Sequence, residues 1–343
     1  MVCSQEHEHL NEHSPRRDGE KNTHISLTLN HPRQLYFAYP ISGALAVTLQ
    51  APRRFAINFH DGPLPRYAGM HVTSWAIMRG ERVHAVTWHV MTGEIDAGPI
   101  LMQQAVPITP EDSALTLNAK CYDAALESFG VLVDDLGSDR AAPREQDLSQ
   151  RTYFPLALRP PAAAVIDWTR PAAEISALVR GLGFGSYPNP LDRPKLAHGT
   201  AFWICPQVES ADTPVAAAVP GTLVVAGPDA LVVAAADGLL RIPRLLRLDG
   251  TELSLAAMLA ETGLQAGDQL ARPDALLERA TAYAGRTARS EPYWAARLRA
   301  LRAVPLPFAE VPAASRLVCE YRKPTLPLSL NPLENSWRKR SIA

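Results

Sequence analysis

The stretch Phe55 to Gly69, FAINFHDGPLPRYAG, decides the fold of this 343-residue chain. Its first half, FAINFH, is a short apolar and aromatic run of the kind that forms a buried strand, and its second half, with Gly62 and Pro65, turns the chain sharply. Asn58 and His60 are two positions apart, so their side chains point to the same face of a strand. We expect the two side chains to meet where this strand ends.

Other apolar runs around this stretch alternate between strand-like and helical spacing. The runs LYFAY (35–39), VHAVTWHVM (83–91) and PILMQQAVPI (99–108) predict strands. The runs MHVTSWAIMRGE (70–81) and 112–136 predict helices, the second beginning at Ser113 or Asp112. This alternation predicts an α/β fold for the first half of the chain.

The second half has a different pattern. A short strand is predicted from Ala164 to Trp168, and an amphipathic helix from Pro171 that ends at Gly183 and Gly185. Four short apolar runs between 195 and 246, separated by Gly, Asp and Pro, predict a small antiparallel barrel or sandwich, and helices follow from 251. We therefore divide the chain into a polar, disordered lead-in (1–33), an α/β domain (34–155), a small β domain (162–250) and a helical region with an irregular tail (251–343).

Composition excludes several classes of protein. Lysine and arginine total 34 against 35 for aspartate and glutamate, so no global field recruits nucleic acid or an anionic membrane surface. No stretch approaches the ~18 consecutive apolar residues of a membrane span. The four cysteines form no CxxC pair, which indicates reduced thiols in a cytoplasmic protein, and we interpret Cys3, His7, His9 and His13 as part of a solvated tail without a metal.

Asn58, His60 and the later Asp96, in GEIDAG, are the groups needed to move an acyl group onto an amine. An amide donor to the carbonyl oxygen, which gains negative charge, raises the rate by roughly 10²- to 10³-fold, and Asn58 suits that role. A base that accepts the amine proton adds a further ~10²- to 10⁴-fold, and His60, oriented or charged by Asp96, suits that role. The small apolar neighbours of Asp96 predict a raised pKa for its carboxyl group. Each residue alone could instead be a turn asparagine, a core histidine or a turn aspartate.

Other polar residues near these segments have ordinary interpretations. His84 and His89 lie at odd spacing on one predicted strand, so they face opposite sides and cannot both reach one site. We interpret them as core or surface histidines. Asp61 could pair with Arg66 or bind the amine of a substrate, and the sequence leaves both roles open.

The segments NFH, GPLPRYAG, AVTWHVM and EIDAG together resemble the formyltransferase family, and HDGPLPRYAG is more similar to the domains that begin some nonribosomal peptide synthetases than to the tRNA branch. The resemblance implies 10-formyltetrahydrofolate as the donor, an amine as the acceptor, and Asn58, His60 and Asp96 as the catalytic residues. It implies a Rossmann-like formyltransferase domain, then a β-barrel similar to the family's C-terminal domain, then a helical region similar to a synthetase linker. The implied donor-binding residues are Leu64, Pro65, Gly93 and Ile95.

Three departures from the family pattern shape the expected function, the third being that the chain ends soon after the linker-like region with no adenylation or carrier domain. Gly62 and Pro63 replace Ser-Leu in the loop, and only ~25 organised residues precede Asn58 where each βαβ unit needs ~30 or more, so we expect a domain that lacks most of its first half. The expected function is formyl transfer to an amino acid or to an aminoacyl-carrier thioester, in peptide natural-product biosynthesis. The alternatives are a catalytically impaired module that docks onto a peptide synthetase and, ranked last, formylation of methionyl-tRNA.

Overall fold

The computed structural model describes residues 36–37, 52, 54–211 and 218–300. The predicted lead-in (1–33), the residues Cys3, His7, His9 and His13 within it, and the irregular tail from 305 lie outside these residues. The interpretations of those two segments stay predictions.

The first half of the described chain is a four-stranded sheet with helices. The strand order is β1-β2-β4-β5, in which β1 runs parallel to β2 while β2, β4 and β5 are antiparallel to their neighbours, and β3 and β6 form a separate parallel pair. The alternating pattern therefore predicts the strands and helices of this half correctly. The elements are β1 (Tyr36–Phe37), β2 (Ala56–His60), β3 (Ala68–Gly69), α1 (Val72–Met78), β4 (Val83–Val90), β5 (Ile100–Pro107), α2 (Ala114–Gly137) and β6 (Tyr153–Phe154).

Helix α2 covers one face of this sheet. It begins with a capping box, in which the Ser113 hydroxyl accepts the Thr116 N–H and the Thr116 hydroxyl accepts the Ser113 N–H. Its buried residues Leu117 and Cys121 pack against the sheet residue Val86. This packing leaves the opposite sheet face for polar side chains of β2 and β4.

The connection to the second half differs from the sequence prediction. The predicted strand from Ala164 to Trp168 is wrong, because only Val165 makes a β-bridge, with Lys195. Ala162, Ala163 and Ala164 have φ angles of 52°, 49° and 57°, and this left-handed conformation cannot continue as an extended strand. The helix that follows is α3 (Ala172–Gly181), which ends two residues before the predicted Gly183.

The described part of the second half contains two four-stranded sheets around one apolar core. Their strand orders are β10-β11-β12-β9 and β14-β13-β8-β7, all pairs being antiparallel, in agreement with the predicted barrel or sandwich. Leu196 and Trp203 of one sheet and Leu231 and Ile242 of the other belong to the same buried cluster. The strands are β7 (Lys195–His198), β8 (Ala201–Ile204), β9 (Glu209–Ser210), β10 (Leu223–Ala226), β11 (Leu231–Ala234), β12 (Leu239–Ile242), β13 (Leu245–Leu246) and β14 (Glu252–Leu253).

Among the described residues, three helices follow the sheets, in line with the helices predicted from 251: α4 (Leu255–Thr262), α5 (Asp274–Thr287) and α6 (Glu291–Ala300). Within the described residues, none of the helices combines the length and the apolarity required to cross a membrane. Cys121 and Cys205, the two cysteines among the described residues, are buried free thiols.

Candidate functional site

Asn58 and His60 occupy one face of β2, as predicted, and they lie beside two residues of β4. In the antiparallel register, Asn58 is opposite His89 and His60 is opposite Thr87. All four side chains are buried. The amide nitrogen of Asn58 lies 3.1 Å from Nε2 of His89, so a histidine that the sequence did not assign to the site belongs to it.

The hydrogen bonds of His89 fix the orientation of the Asn58 amide. Nδ1 of His89 lies 3.0 Å from the carbonyl oxygen of Val90, which can only accept, so Nδ1 carries a proton. In the neutral ring, Nε2 is then an acceptor and receives the N–H of Asn58. The Asn58 amide is thereby held with its nitrogen toward His89, while its buried Oδ1 has no hydrogen-bond partner among the described residues.

The imidazole of His60 is fixed in a similar way by the loop that follows it. Nε2 of His60 donates to the carbonyl oxygen of Tyr67 at 2.7 Å, so Nδ1 is the nitrogen that faces Asp96. A Cβ atom on Gly62 would lie 2.7 Å from both His60 Nε2 and Tyr67 O. This close approach gives a physical reason for glycine at the position where the family pattern has serine.

Asp96 joins the two histidines. Its Oδ2 lies 3.6 Å from Nδ1 of His60 and its Oδ1 lies 3.6 Å from Nε2 of His89. The N–H of Gly69 donates to Oδ2 at 2.9 Å. Asp96 has a φ of 54°, a left-handed conformation that aspartate tolerates better than most residues, and this turns the carboxylate back toward β2 and β4. The structure therefore brings together all three residues that were predicted to be catalytic.

The predicted direction of the Asp96 pKa is wrong. Burial by itself raises the pKa of this carboxyl group, but the imidazoles of His89 and His60, each with a ring nitrogen 3.6 Å away, and the N–H of Gly69 outweigh burial and hold the pKa below its ordinary value. The prediction rested on the small apolar neighbours along the chain alone. Asp96 is therefore an ionised carboxylate at neutral pH.

Two segments distant in sequence hold the Asp96 loop in place. Gln146 donates from Nε2 to the carbonyl oxygens of Asp96 at 2.9 Å and Gly98 at 2.6 Å, and Arg151 donates to that of Ile95 at 2.7 Å. A Cβ on Gly98 would lie 1.8 Å from the carbonyl oxygen of Val90, so this loop packs directly against the end of β4. Nothing local in the sequence points to Gln146, because its role depends on a contact about 50 residues away.

The residues predicted for donor binding are divided between the core and the surface. Leu64 is buried against Ala68 and Ile100. Pro65 is half-buried, and Gly93 and Ile95 are exposed, Ile95 by 54%. The structure thus buries Leu64 and exposes Ile95 on the loop that carries Asp96.

The sequence left two roles open for Asp61, an ion pair with Arg66 or binding of a substrate amine, and the structure pairs Arg66 with another residue. Arg66 forms its ion pair with Glu81, which also accepts a hydrogen bond from the Tyr67 hydroxyl. The carbonyl oxygen of Asp61 accepts from Nε2 of His84 at 2.6 Å. His84 is thus a buried residue that contacts the loop backbone, in line with its interpretation as a core histidine.

The arrangement supplies hydrogen-bond donors and a carboxylate at one buried point. Asn58 presents an amide, His60 an imidazole whose Nδ1 faces Asp96, and Asp96 a negative charge. Among the described residues, no group of three or more His, Cys, Asp or Glu side chains is arranged to hold a metal ion. The chemistry available to these side chains is hydrogen bonding to a carbonyl oxygen and movement of a proton.

Known proteins match two parts of the chain separately. A family model described as "Formyl transferase" matches residues 44–130, and another described as "Formyl transferase, C-terminal domain" matches residues 160–262. The methionyl-tRNA formyltransferases of Trichlorobacter lovleyi and Pelobacter propionicus are 30% and 31% identical to this chain over 230 residues. These alignments cover 65% and 66% of this chain, and 67% and 69% of the two relatives.

Two solved structures resemble this chain over part of their length. The N-formyltransferase from Helicobacter canadensis, in complex with folinic acid and dTDP-3-aminofucose, has a TM-score of 0.44 at 18% identity and covers 55% of this chain and 65% of its own. HypX from Aquifex aeolicus, in complex with tetrahydrofolic acid, has a TM-score of 0.47 at 17% identity and covers 62% of this chain and 36% of its own.

Proposed function

The chain belongs to the formyltransferase family, and on this premise we propose that it transfers a formyl group from 10-formyltetrahydrofolate to an amine. The observation that carries the proposal is the buried cluster of Asn58, His60, His89 and Asp96. The proposed catalytic domain spans 34–155 and the proposed β-barrel 162–250, with a linker-like helical region from 251.

The donor supplies a formyl carbon bonded to N10 of the folate. In the transfer, the bond between that carbon and N10 breaks, a bond to the acceptor nitrogen forms, the acceptor amine loses one proton and N10 gains one. The protein must therefore bind the formyl oxygen as its negative charge grows and must move a proton away from the amine. The cluster contains groups suited to both tasks.

Asn58 suits the first task. Its amide is oriented by His89, so one N–H is engaged and the orientation of the group is set before a substrate binds. Preorganised donors of this kind stabilise developing charge without reorganisation during the reaction. We assign the binding of the formyl oxygen to the Asn58 amide.

His60 and Asp96 suit the second task. Asp96 is ionised and lies 3.6 Å from His60 Nδ1, so a proton on that nitrogen is stabilised by the carboxylate. The pair can hold the proton released by the amine or pass it onward to N10. We assign the proton transfer to His60 together with Asp96, and the orientation of Asn58 to His89.

Leu64, Pro65, Gly93 and Ile95 are the proposed contacts for the donor. Ile95 is a large apolar side chain exposed by 54% on the loop that carries Asp96, and a bound pteridine or benzoyl ring would cover such a surface. The unpartnered, buried Oδ1 of Asn58 is also suited to accept a hydrogen bond from a bound molecule. Both features fit a folate donor at this end of the sheet.

The acceptor can be narrowed to two candidates. Our first candidate is a free amino acid or an aminoacyl-carrier thioester, because the loop HDGPLPRYAG resembles the peptide-synthetase branch. The second is methionyl-tRNA, favoured by the activity named for the two curated relatives. The near-zero net charge of −1 favours the first, because tRNA-binding surfaces are strongly basic.

A transfer assay with a panel of acceptors tests this proposal. The protein is incubated with 10-formyltetrahydrofolate and with free amino acids, carrier-bound amino acids or methionyl-tRNA, and donor binding is measured by calorimetry. We expect formylation of amino acids or of their carrier thioesters, while formylation of methionyl-tRNA alone would select the second candidate. A folded protein that binds no folate would overturn the enzyme and leave a module that docks onto a peptide synthetase.

A further inference from the structure

Thr87 and Gln103 lie in one row with His60 across the sheet. Thr87 on β4 is the cross-strand partner of both His60 on β2 and Gln103 on β5. Cross-strand partners on one face have neighbouring side chains. Both Thr87 and Gln103 contact the turn Asp61–Leu64 that follows His60. Neither residue has a role in the proposed chemistry.

The Thr87 hydroxyl is the centre of this row. Its Oγ1 lies 2.6 Å from the carbonyl oxygen of Gly62 and 2.9 Å from Nε2 of Gln103. The Gln103 amide nitrogen can only donate and the Gly62 carbonyl can only accept, so the Thr87 hydroxyl proton points to Gly62. The Leu64 N–H donates to the carbonyl oxygen of Gly62 at 3.1 Å and to Oγ1 of Thr87 at 3.4 Å.

Gln103 holds the far end of the same turn. Its Nε2 lies 3.0 Å from the carbonyl oxygen of Leu64, in addition to its bond with Thr87. One side chain therefore uses both of its N–H groups, one on the turn and one on Thr87. The two residues bind the turn at Gly62 and at Leu64 as a connected pair.

We propose that Thr87 and Gln103 are positioning residues that hold the turn Asp61–Leu64 in the shape required for catalysis. The turn leads to the Tyr67 carbonyl, which accepts the Nε2 proton of His60. A displaced turn would rotate the His60 imidazole away from Asp96 and would move Leu64. The catalytic consequence of this inference depends on the proposed function, but the structural role does not.

His84 holds the beginning of the turn independently of this pair. Its Nε2 donates to the Asp61 carbonyl at 2.6 Å, and burial lowers its pKa, so the ring is a neutral donor. Loss of the Thr87 hydroxyl therefore leaves the turn attached at Asp61. We expect a shifted turn in a folded protein, not an unfolded chain.

The kinetic test compares variants that keep or remove these hydrogen bonds. Thr87→Val keeps the shape but loses the hydroxyl, and Gln103→Met loses both donors, so each should lower kcat by roughly 10-fold or more with a smaller change in the acceptor KM. Thr87→Ser keeps the hydroxyl and should retain most of the activity. The kcat of the double variant Thr87→Val/Gln103→Met should be no lower than that of the less active single variant, because the two residues act as one unit.

Gln104 provides a matched control on the same strand. Its amide bonds Glu127 of α2 at 2.9 Å on the sheet face that α2 covers, away from the turn. Gln104→Met should therefore leave kcat and KM unchanged. A similar loss of activity in Gln104→Met and Gln103→Met would overturn the inference.

Hydrogen exchange of the Leu64 amide decides the structural role without any activity. It should be faster in Thr87→Val and Gln103→Met than in the wild type and Thr87→Ser. If the wild type transfers no formyl group, the proposed function fails, and this exchange measurement alone then decides the inference. Unchanged exchange in a folded Thr87→Val or Gln103→Met variant, or equally fast exchange in Thr87→Ser and Thr87→Val, would overturn it.

Discussion

Asn58 and His89 are cross-strand partners, and the amide nitrogen of Asn58 lies 3.1 Å from Nε2 of His89. His89 donates from its other nitrogen to the Val90 carbonyl, so this contact determines which end of the Asn58 amide faces the histidine. The same Nε2 lies 3.6 Å from Asp96. His89 therefore orients the proposed oxyanion donor and lies beside the carboxylate.

Replacement of His89 by leucine should lower kcat with little change in folding. His89→Leu removes the acceptor that orients Asn58, and a displaced catalytic group costs up to about 10²-fold in rate. Steady-state kinetics with thermal unfolding measures both effects. His198→Leu, in β7 of the second domain, is the control and should keep full activity, and equal kinetics in the two variants would contradict the role of His89.

Gly98→Ala should lower both stability and activity. The new Cβ would lie 1.8 Å from the Val90 carbonyl oxygen, so the loop that carries Asp96 must move away from β4. Overpacking of this kind costs about 1–3 kcal/mol of unfolding free energy. Urea denaturation checks the value.

Gly93 is the matched control for this change, because it lies in the same loop and a Cβ there would meet nothing within 4 Å. Gly93→Ala should change the unfolding free energy by no more than about 0.5 kcal/mol. If the two variants were equally stable, the close packing of Gly98 against β4 would be wrong.

Gly62→Ala should uncouple His60 from the loop. A Cβ 2.7 Å from both His60 Nε2 and Tyr67 O must displace one of them, so the imidazole loses its fixed orientation. We expect kcat to fall by up to about 10²-fold. Gly130→Ala, at an exposed position of α2, tests whether the effect is specific and should leave kcat unchanged. Full activity in Gly62→Ala would show that this hydrogen bond has no catalytic importance.

Asp96 should make stability depend on pH in the acid range. The folded state lowers its pKa below the ordinary 3.8, so the folded protein favours the carboxylate more than the unfolded chain does. This contribution is fully present above the unfolded pKa and is lost as the pH falls through the folded pKa. The difference in unfolding free energy between wild type and Asp96→Asn should therefore shrink as the pH falls from about 5 to below 3.8. Denaturant titrations at several pH values measure it, and a constant difference would contradict the depressed pKa.

The sequence alone predicts the strands of the site and the shared face of Asn58 and His60, because those features depend on neighbouring residues. The period of two along β2 and β4 was sufficient for both. His89 was missed because its contact depends on the register between the two strands, which places Asn58 opposite His89. Thr87 and His89 are two positions apart and therefore face the same side of β4, and this spacing was the available signal for His89.

The charge state of Asp96 could not be predicted from its sequence neighbours. The N–H of Gly69 and the ring nitrogens of His60 and His89 reach the carboxylate from three other segments. Only the folded structure brings these groups together, and together they outweigh the effect of burial. The same limit applies to Gln146, which holds the Asp96 loop from beyond α2.

The most direct test of the central claim measures formyl transfer by the wild type and by Asn58→Ala and Asp96→Asn. Transfer from 10-formyltetrahydrofolate to the best acceptor of the panel is followed as formation of the formylated amine, with circular dichroism to confirm folding. We predict transfer by the wild type and a loss of roughly 10²- to 10³-fold in each folded variant. Wild-type turnover that persists unchanged in both variants would contradict the proposed roles of this cluster.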